Sequence, residues 1–99
     1  MTKPWFLYLL ECKNGAIYTG ITTDVEARFK AHKEGRGAKY TRANPPVRII
    51  GQVQCMDRSD ASKLEIKIKE LSPTKKKWMV NYLAIHSNRP AVGTPAPGV

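Results

Sequence analysis

The chain is 99 residues long, enough for one domain with its own core and little room for a second module. Lysine and arginine number 17 against 8 acidic residues, a net charge of +9. So large an excess points to a polyanionic partner, nucleic acid first and an anionic membrane surface second. No stretch approaches the ~20 apolar residues of a membrane span, and the apolar run 5–10 is too short for a signal peptide. The expectation is a cytoplasmic protein.

Trp5 to Cys12 (WFLYLLEC) is almost entirely apolar or aromatic and reads as a buried strand. Lys13-Asn14-Gly15 supplies a turn, and Ala16 to Ile21 (AIYTGI) reads as the returning strand. Two loops are compatible with this sequence. A two-residue Asn14-Gly15 loop pairs Lys13 with Ala16 and sends Tyr8 and Tyr18 to opposite faces. A three-residue loop with Gly15 in the left-handed region pairs Cys12 with Ala16. It makes Tyr8 and Tyr18 diagonal neighbours on one face, ~7–8 Å apart.

Thr23 and Glu26 form a capping-box pattern opening a helix over 24–34, with Gly35 as its C-terminal cap. Val25, Arg28, Phe29 and His32 share one face of it. Residues 35–46 (GRGAKYTRANPP) mix Gly, Pro and cations without period and read as a basic loop. Val47 to Cys55 reads as a third strand. A second helix starting at Ser59 or Asp60 and running to about Leu71 carries Ala61, Leu64, Ile68 and Leu71 as its buried stripe. Pro73 restarts the chain, and a third helix from Lys75 to about Ile85 is expected to pack Trp78, Met79 and Tyr82. The domain is expected to span 1–86. Residues 87–99, rich in Pro, Gly and Ala, read as a flexible tail.

Two cysteines and two histidines make neither a disulfide framework nor a zinc pattern, and Cys12 and Cys55 read as reduced strand residues. Glu65 is the most informative single position. It falls on the stripe Ala61-Leu64-Glu65-Ile68, where an apolar residue belongs. A carboxylate there must be paired, protonated or metal-bound, unless it merely reaches water from the stripe's edge. Taken singly, Arg28 reads as a salt-bridge partner, His32 as a hydrogen-bonded core histidine, and Tyr8 and Tyr18 as ordinary strand aromatics. Lys39-Tyr40-Thr41-Arg42 offers cations, a hydroxyl and a stackable ring to phosphate and base.

Taken together, these residues resemble the GIY-YIG nuclease domain of some homing endonucleases, some restriction enzymes and a nucleotide-excision-repair incision subunit. The family's first triplet corresponds to Phe6-Leu7-Tyr8 and its second to Tyr18-Thr19-Gly20. Its arginine and histidine match Arg28 and His32, its metal-binding glutamate matches Glu65, and a later asparagine would correspond to Asn81. The segment Gly35 to Arg42 is similar to that of the short, stand-alone bacterial branch, the YhbQ-like group. The first triplet lacks the family's glycine and isoleucine, and Thr19 replaces an aliphatic residue, but the reactive side chains are kept.

The resemblance implies a small α/β domain, a three-stranded antiparallel sheet flanked by about three helices. It implies a metal-dependent endonuclease acting on nucleic acid, with DNA the expected substrate and DNA repair or processing the expected role. No membrane and no obligate protein partner are expected. Tyr8, Tyr18, Arg28, His32 and Glu65 would be catalytic. Glu65 would hold Mg²⁺ or Mn²⁺ and Arg28 would bind the phosphate. One tyrosine, Tyr18 by family analogy, would activate water, aided by a hydrogen bond from His32. Tyr8 would orient Tyr18 or the water, the sequence leaving open which tyrosine takes which role. Lys39, Tyr40, Thr41 and Arg42 would touch nucleic acid. The alternative is a non-catalytic nucleic-acid-binding module on the same fold. A weaker one is a protein-interaction domain.

Overall fold

In the computed structural model, residues 3–86 are described, so the tail expected from residue 87 lies outside them. Trp5–Cys12 forms β1, Ile17–Thr22 forms β2 and Pro46–Cys55 forms β3. All pairing is antiparallel, in the order β2-β1-β3. The central place of β1 explains its unbroken apolar run, because helices cover both of its faces. Leu7 and Leu9 meet Val53, Ala61, Ile68 and Val80 on one side. Tyr8 and Leu10 meet Val25, Phe6, Tyr18, Phe29 and Ile49 on the other.

The hairpin takes the three-residue form. Cys12 N–H donates to the Ala16 carbonyl at 2.9 Å, Gly15 N–H donates to the Cys12 carbonyl at 2.9 Å, and Gly15 has φ of +85°. Leu10 therefore pairs with Tyr18 and Tyr8 with Gly20. Both tyrosines face the same way because the side-chain period of a strand is two.

Helix α1 spans Val25–Lys33. Its cap is Asp24 rather than Thr23: the extended Asp24 carboxylate accepts from Ala27 N–H at 3.0 Å. The expected capping box from Thr23 to Glu26 is thus displaced by one residue. At the other end Arg36 N–H reaches Ala31 O and Gly35 N–H reaches His32 O, the paired bonds that close a helix through a left-handed glycine.

The stretch expected to be wholly a loop contains a short helix, α2, over Lys39–Ala43. Its N-cap residue, Ala38, has no side chain to cap it, and Thr41 reaches back to accept from Ala38 N–H at 3.3 Å. What holds it is Thr41, fully buried beneath α1.

Helix α3 spans Arg58–Lys69, one residue ahead of the expected start, because Asp57 caps it by accepting from Asp60 N–H. Ala61 and Ile68 are buried as the stripe predicts, with Leu64 and Leu71 partly so. Helix α4 spans Pro73–His86 with Pro73 as its first residue. Its core face is Val80, flanked by Met79, Leu83 and Ala84. Trp78 and Tyr82 do not join that core as expected. They are 61% and 45% exposed and stack on each other, with His86 against Tyr82. Their spacing of four puts them one above the other on the helix's outward side. Among the described residues, no helix is long and apolar enough to cross a membrane. Cys12 and Cys55 are buried and not joined by a disulfide.

Candidate active site

Tyr8 projects from the middle of the central strand, and only Gly20 allows it to do so. A Cβ built on Gly20 would overlap the Tyr8 hydroxyl and lie 2.6 Å from its ζ carbon. The strand partner of the tyrosine must therefore be a glycine. The hydroxyl meets His32 Nε2 of α1 at 2.9 Å, in a buried contact. Tyr18, half-buried, packs its ring 6.4 Å from that of Tyr8 and 4.8 Å from the His32 ring. The expected hydrogen bond from His32 to Tyr18 is thus a ring contact, and the hydrogen bond goes to Tyr8 instead.

Arg28, one turn before His32 on α1, stands close enough to Tyr8 for its donors and positive charge to favour the phenolate. Its Nη2 also donates to the Gly37 carbonyl at 3.4 Å. Burial nonetheless dominates and pushes Tyr8 up to about 12, with Arg28 pulling it down and Tyr18 and Glu65 adding to the rise. His32 moves the other way: burial first, then the Arg28 charge, hold it below the ordinary histidine range. Both side chains are consequently neutral at neutral pH.

Glu65 arrives from α3, near enough for its charge to act on Tyr8. Its side chain is 21% exposed and pairs with Lys69 at 3.3 Å, one turn along the helix. The structure thus brings Tyr8, Tyr18, Arg28, His32 and Glu65 into one cluster drawn from β1, β2, α1 and α3. Asn81 is elsewhere. It lies on α4 beside Gly51 of β3, in a groove with Thr74, Lys77, Trp78 and Tyr82. Lys39 and Arg42 are exposed on α2, as a phosphate contact requires. Thr41 is not: its side chain is fully buried and its hydroxyl is 2.7 Å from His32 Nδ1. A helix turned inward at that position takes it out of reach of phosphate.

A cleft of about 340 Å³ opens beside the cluster, lined by Ile17, Tyr18, Thr19, Tyr40, Lys69 and Lys76. Tyr40 is fixed at its rim by a hydrogen bond to its hydroxyl from Asn14 Nδ2 at 2.9 Å. Lys69 and Lys76 escaped the sequence reading. The one signal available was Lys69 standing four residues after Glu65.

A hard divalent cation suits this donor set. Among the described residues no group of three or more His, Cys, Asp or Glu is placed to hold a metal ion. A single carboxylate beside a cleft is the protein share that a Mg²⁺-type ion needs when waters and substrate phosphate complete its shell. Within this cluster Glu65 is the carboxylate that could take that part.

The sequence profile of the GIY-YIG catalytic domain matches residues 4–79, so the chain belongs to the GIY-YIG family, a nuclease-type fold. Its relatives are UPF0213 proteins, the short stand-alone branch. One from Cupriavidus necator is 56% identical over 75 residues, 76% of this chain and 82% of the relative. Another, from Xanthomonas axonopodis pv. citri, is 47% identical over 91 residues, 90% of this chain and 89% of the relative. The solution NMR structure of the protein EF2693 from E. faecalis shares the fold with a TM-score of 0.58 at 32% identity. That likeness covers 90% of this chain and 96% of that one.

Proposed function

We propose that this protein is a divalent-metal-dependent endonuclease that hydrolyses phosphodiester bonds in nucleic acid, with DNA as its substrate and DNA repair or processing as its role. The observation that carries the reading is the convergence of Arg28, Tyr8, His32, Tyr18 and Glu65 at the edge of a lysine-lined cleft. A module that only binds has no use for a buried tyrosine–histidine pair beside a lone carboxylate.

Exposure divides the labour of the tyrosines. Tyr18 lines the open cleft and is the one that can meet an attacking water and take its proton. Tyr8, 1% exposed, sits behind it, bonded to His32 and beside Arg28. Arg28 then offers its remaining N–H donors to the phosphate, a planar fork that lysine cannot imitate. Glu65 would hold Mg²⁺ or Mn²⁺, and such an ion supplies Lewis-acid stabilisation of the phosphate when bound. Lys69, Lys76, Lys39 and Arg42 would carry the flanking backbone charge.

Cleavage of labelled branched, single-stranded and duplex DNA with Mg²⁺, Mn²⁺ or EDTA tests the reading. Wild type is expected to cut with metal and not with EDTA. Glu65→Gln is expected to lose a few orders of magnitude in rate, since the metal supplies several kcal/mol. It should keep its binding to DNA in EDTA. Wild-type rate in Glu65→Gln, or no cutting by wild type on any substrate, sinks the proposal. The second result leaves a nucleic-acid-binding module.

A further inference from the structure

The polar groups behind the cleft form a line whose two ends have fixed polarity. Arg28 carries only donors, and the Ala38 carbonyl only accepts. Between them stand the Tyr8 hydroxyl, 2.9 Å from His32 Nε2, and the Thr41 hydroxyl, 2.7 Å from His32 Nδ1 and 3.1 Å from the Ala38 oxygen. Tyr8, His32 and Thr41 are all 0–1% exposed, so water does not substitute for a missing partner. A neutral imidazole has one N–H and one lone pair, and only one direction puts a proton in every one of these contacts, although the Ala38 oxygen also accepts the Arg42 N–H at 3.0 Å. Tyr8, with the Arg28 donors beside its oxygen, donates to Nε2, Nδ1–H donates to Thr41, and Thr41 donates to the Ala38 carbonyl. The reverse order turns the Tyr8 proton toward a guanidinium that cannot accept it. It also sets the Thr41 and Ala38 oxygens 3.1 Å apart with no proton between them.

We propose that Thr41 is a positioning residue that locks His32 in its Nδ1–H tautomer and, through it, turns the Tyr8 proton away from Arg28. The surroundings hold each member in place. A Cβ on Gly37 would overlap Nδ1 and lie 2.7 Å from Cε1 of His32, so the chain wraps the ring closely enough to stop it turning over. Ala38 N–H donates to the Thr41 oxygen at 3.3 Å, leaving its proton for the carbonyl. The histidine thus has a neutral hydroxyl where a catalytic histidine often has a carboxylate. The effect on Arg28 is to leave the Tyr8 lone pairs free for the guanidinium. That consequence rests on the nuclease reading, while the tautomer itself does not.

Imidazole ¹⁵N NMR at neutral pH reads the tautomer directly, with His86→Gln leaving a single histidine to observe. The expected result is a protonated Nδ1 and unprotonated Nε2 in the Thr41 protein and in Thr41→Ser. Thr41→Val should show Nε2–H or a mixture. On any DNA the protein cuts, Thr41→Val should lower kcat by about ten- to a hundredfold with KM little changed, and Thr41→Ser should restore most of it. An Nε2–H tautomer with Thr41 present overturns the proposal, and this needs no variant at Thr41 that folds. An unchanged tautomer in Thr41→Val overturns it too. An Nδ1–H tautomer lost in Thr41→Val, in a protein that cuts nothing, leaves the lock standing and removes the nuclease reading.

Discussion

At the scale of single residues, the site is made by two neutral side chains that ionise reluctantly. His32 is held below its ordinary range by burial and by Arg28, and this has a measurable sign. In the unfolded chain the imidazole titrates near 6.5, so as pH falls through that value the unfolded state gains a proton that the folded state refuses. The contribution to stability is present above that pH and lost below it. Urea denaturation followed between about pH 8 and pH 5 should show a falling midpoint in wild type. The fall should be shallower in His32→Gln, and parallel pH profiles for the two proteins would show that His32 is not held neutral. Tyr8 acts at the opposite end of the scale. Its value near 12 keeps it protonated wherever the protein functions, and for that reason we give the cleft-facing Tyr18 the contact with water.

At the scale of elements, short polar side chains decide where helices begin. Asp24 and not Thr23 caps α1, so Asp24→Ala should cost about 1 kcal/mol. Thr23→Ala should stay within about 0.5 kcal/mol, read from thermal or urea unfolding of each variant. Equal losses would return the cap to Thr23. The strands and longer helices were legible because apolar period, turn glycines and the proline at 73 all point the same way. The register that brings Tyr8 and Tyr18 together was legible as one of two loops. Helix α2 was not, since its N-cap residue Ala38 has no capping side chain and its inward Thr41 is met by His32, nine positions away. The same bond explains why Thr41 looked like a phosphate contact in the sequence: its hydroxyl was visible, its inward direction was not. Trp78 and Tyr82 misled for a related reason. Aromatic size suggests a core, but on α4 the smaller Val80 takes the buried position and the rings cover each other outside.

At the scale of the whole molecule, the net charge of +9 sets how a nucleic acid would be held. Binding should be tight at low salt and fall steeply as salt rises, because neutralised phosphates release counterions. Replacing Lys39 and Arg42 together with alanine should flatten the log–log salt slope by up to about two units. Titrations by fluorescence anisotropy at several salt concentrations would read this, and an unchanged slope would take α2 off the binding surface. The folded arrangement also bears on how the chain is made. Tyr8 lies near the start of the sequence, yet its strand is flanked on one side by β3, which is complete only at Cys55. Glu65 follows later still, on α3. A growing chain therefore carries the tyrosines, the arginine and the histidine well before it carries the carboxylate that would complete the site. On the nuclease proposal, a chain broken off before α3 lacks that carboxylate and is expected not to cut the nucleic acid around it.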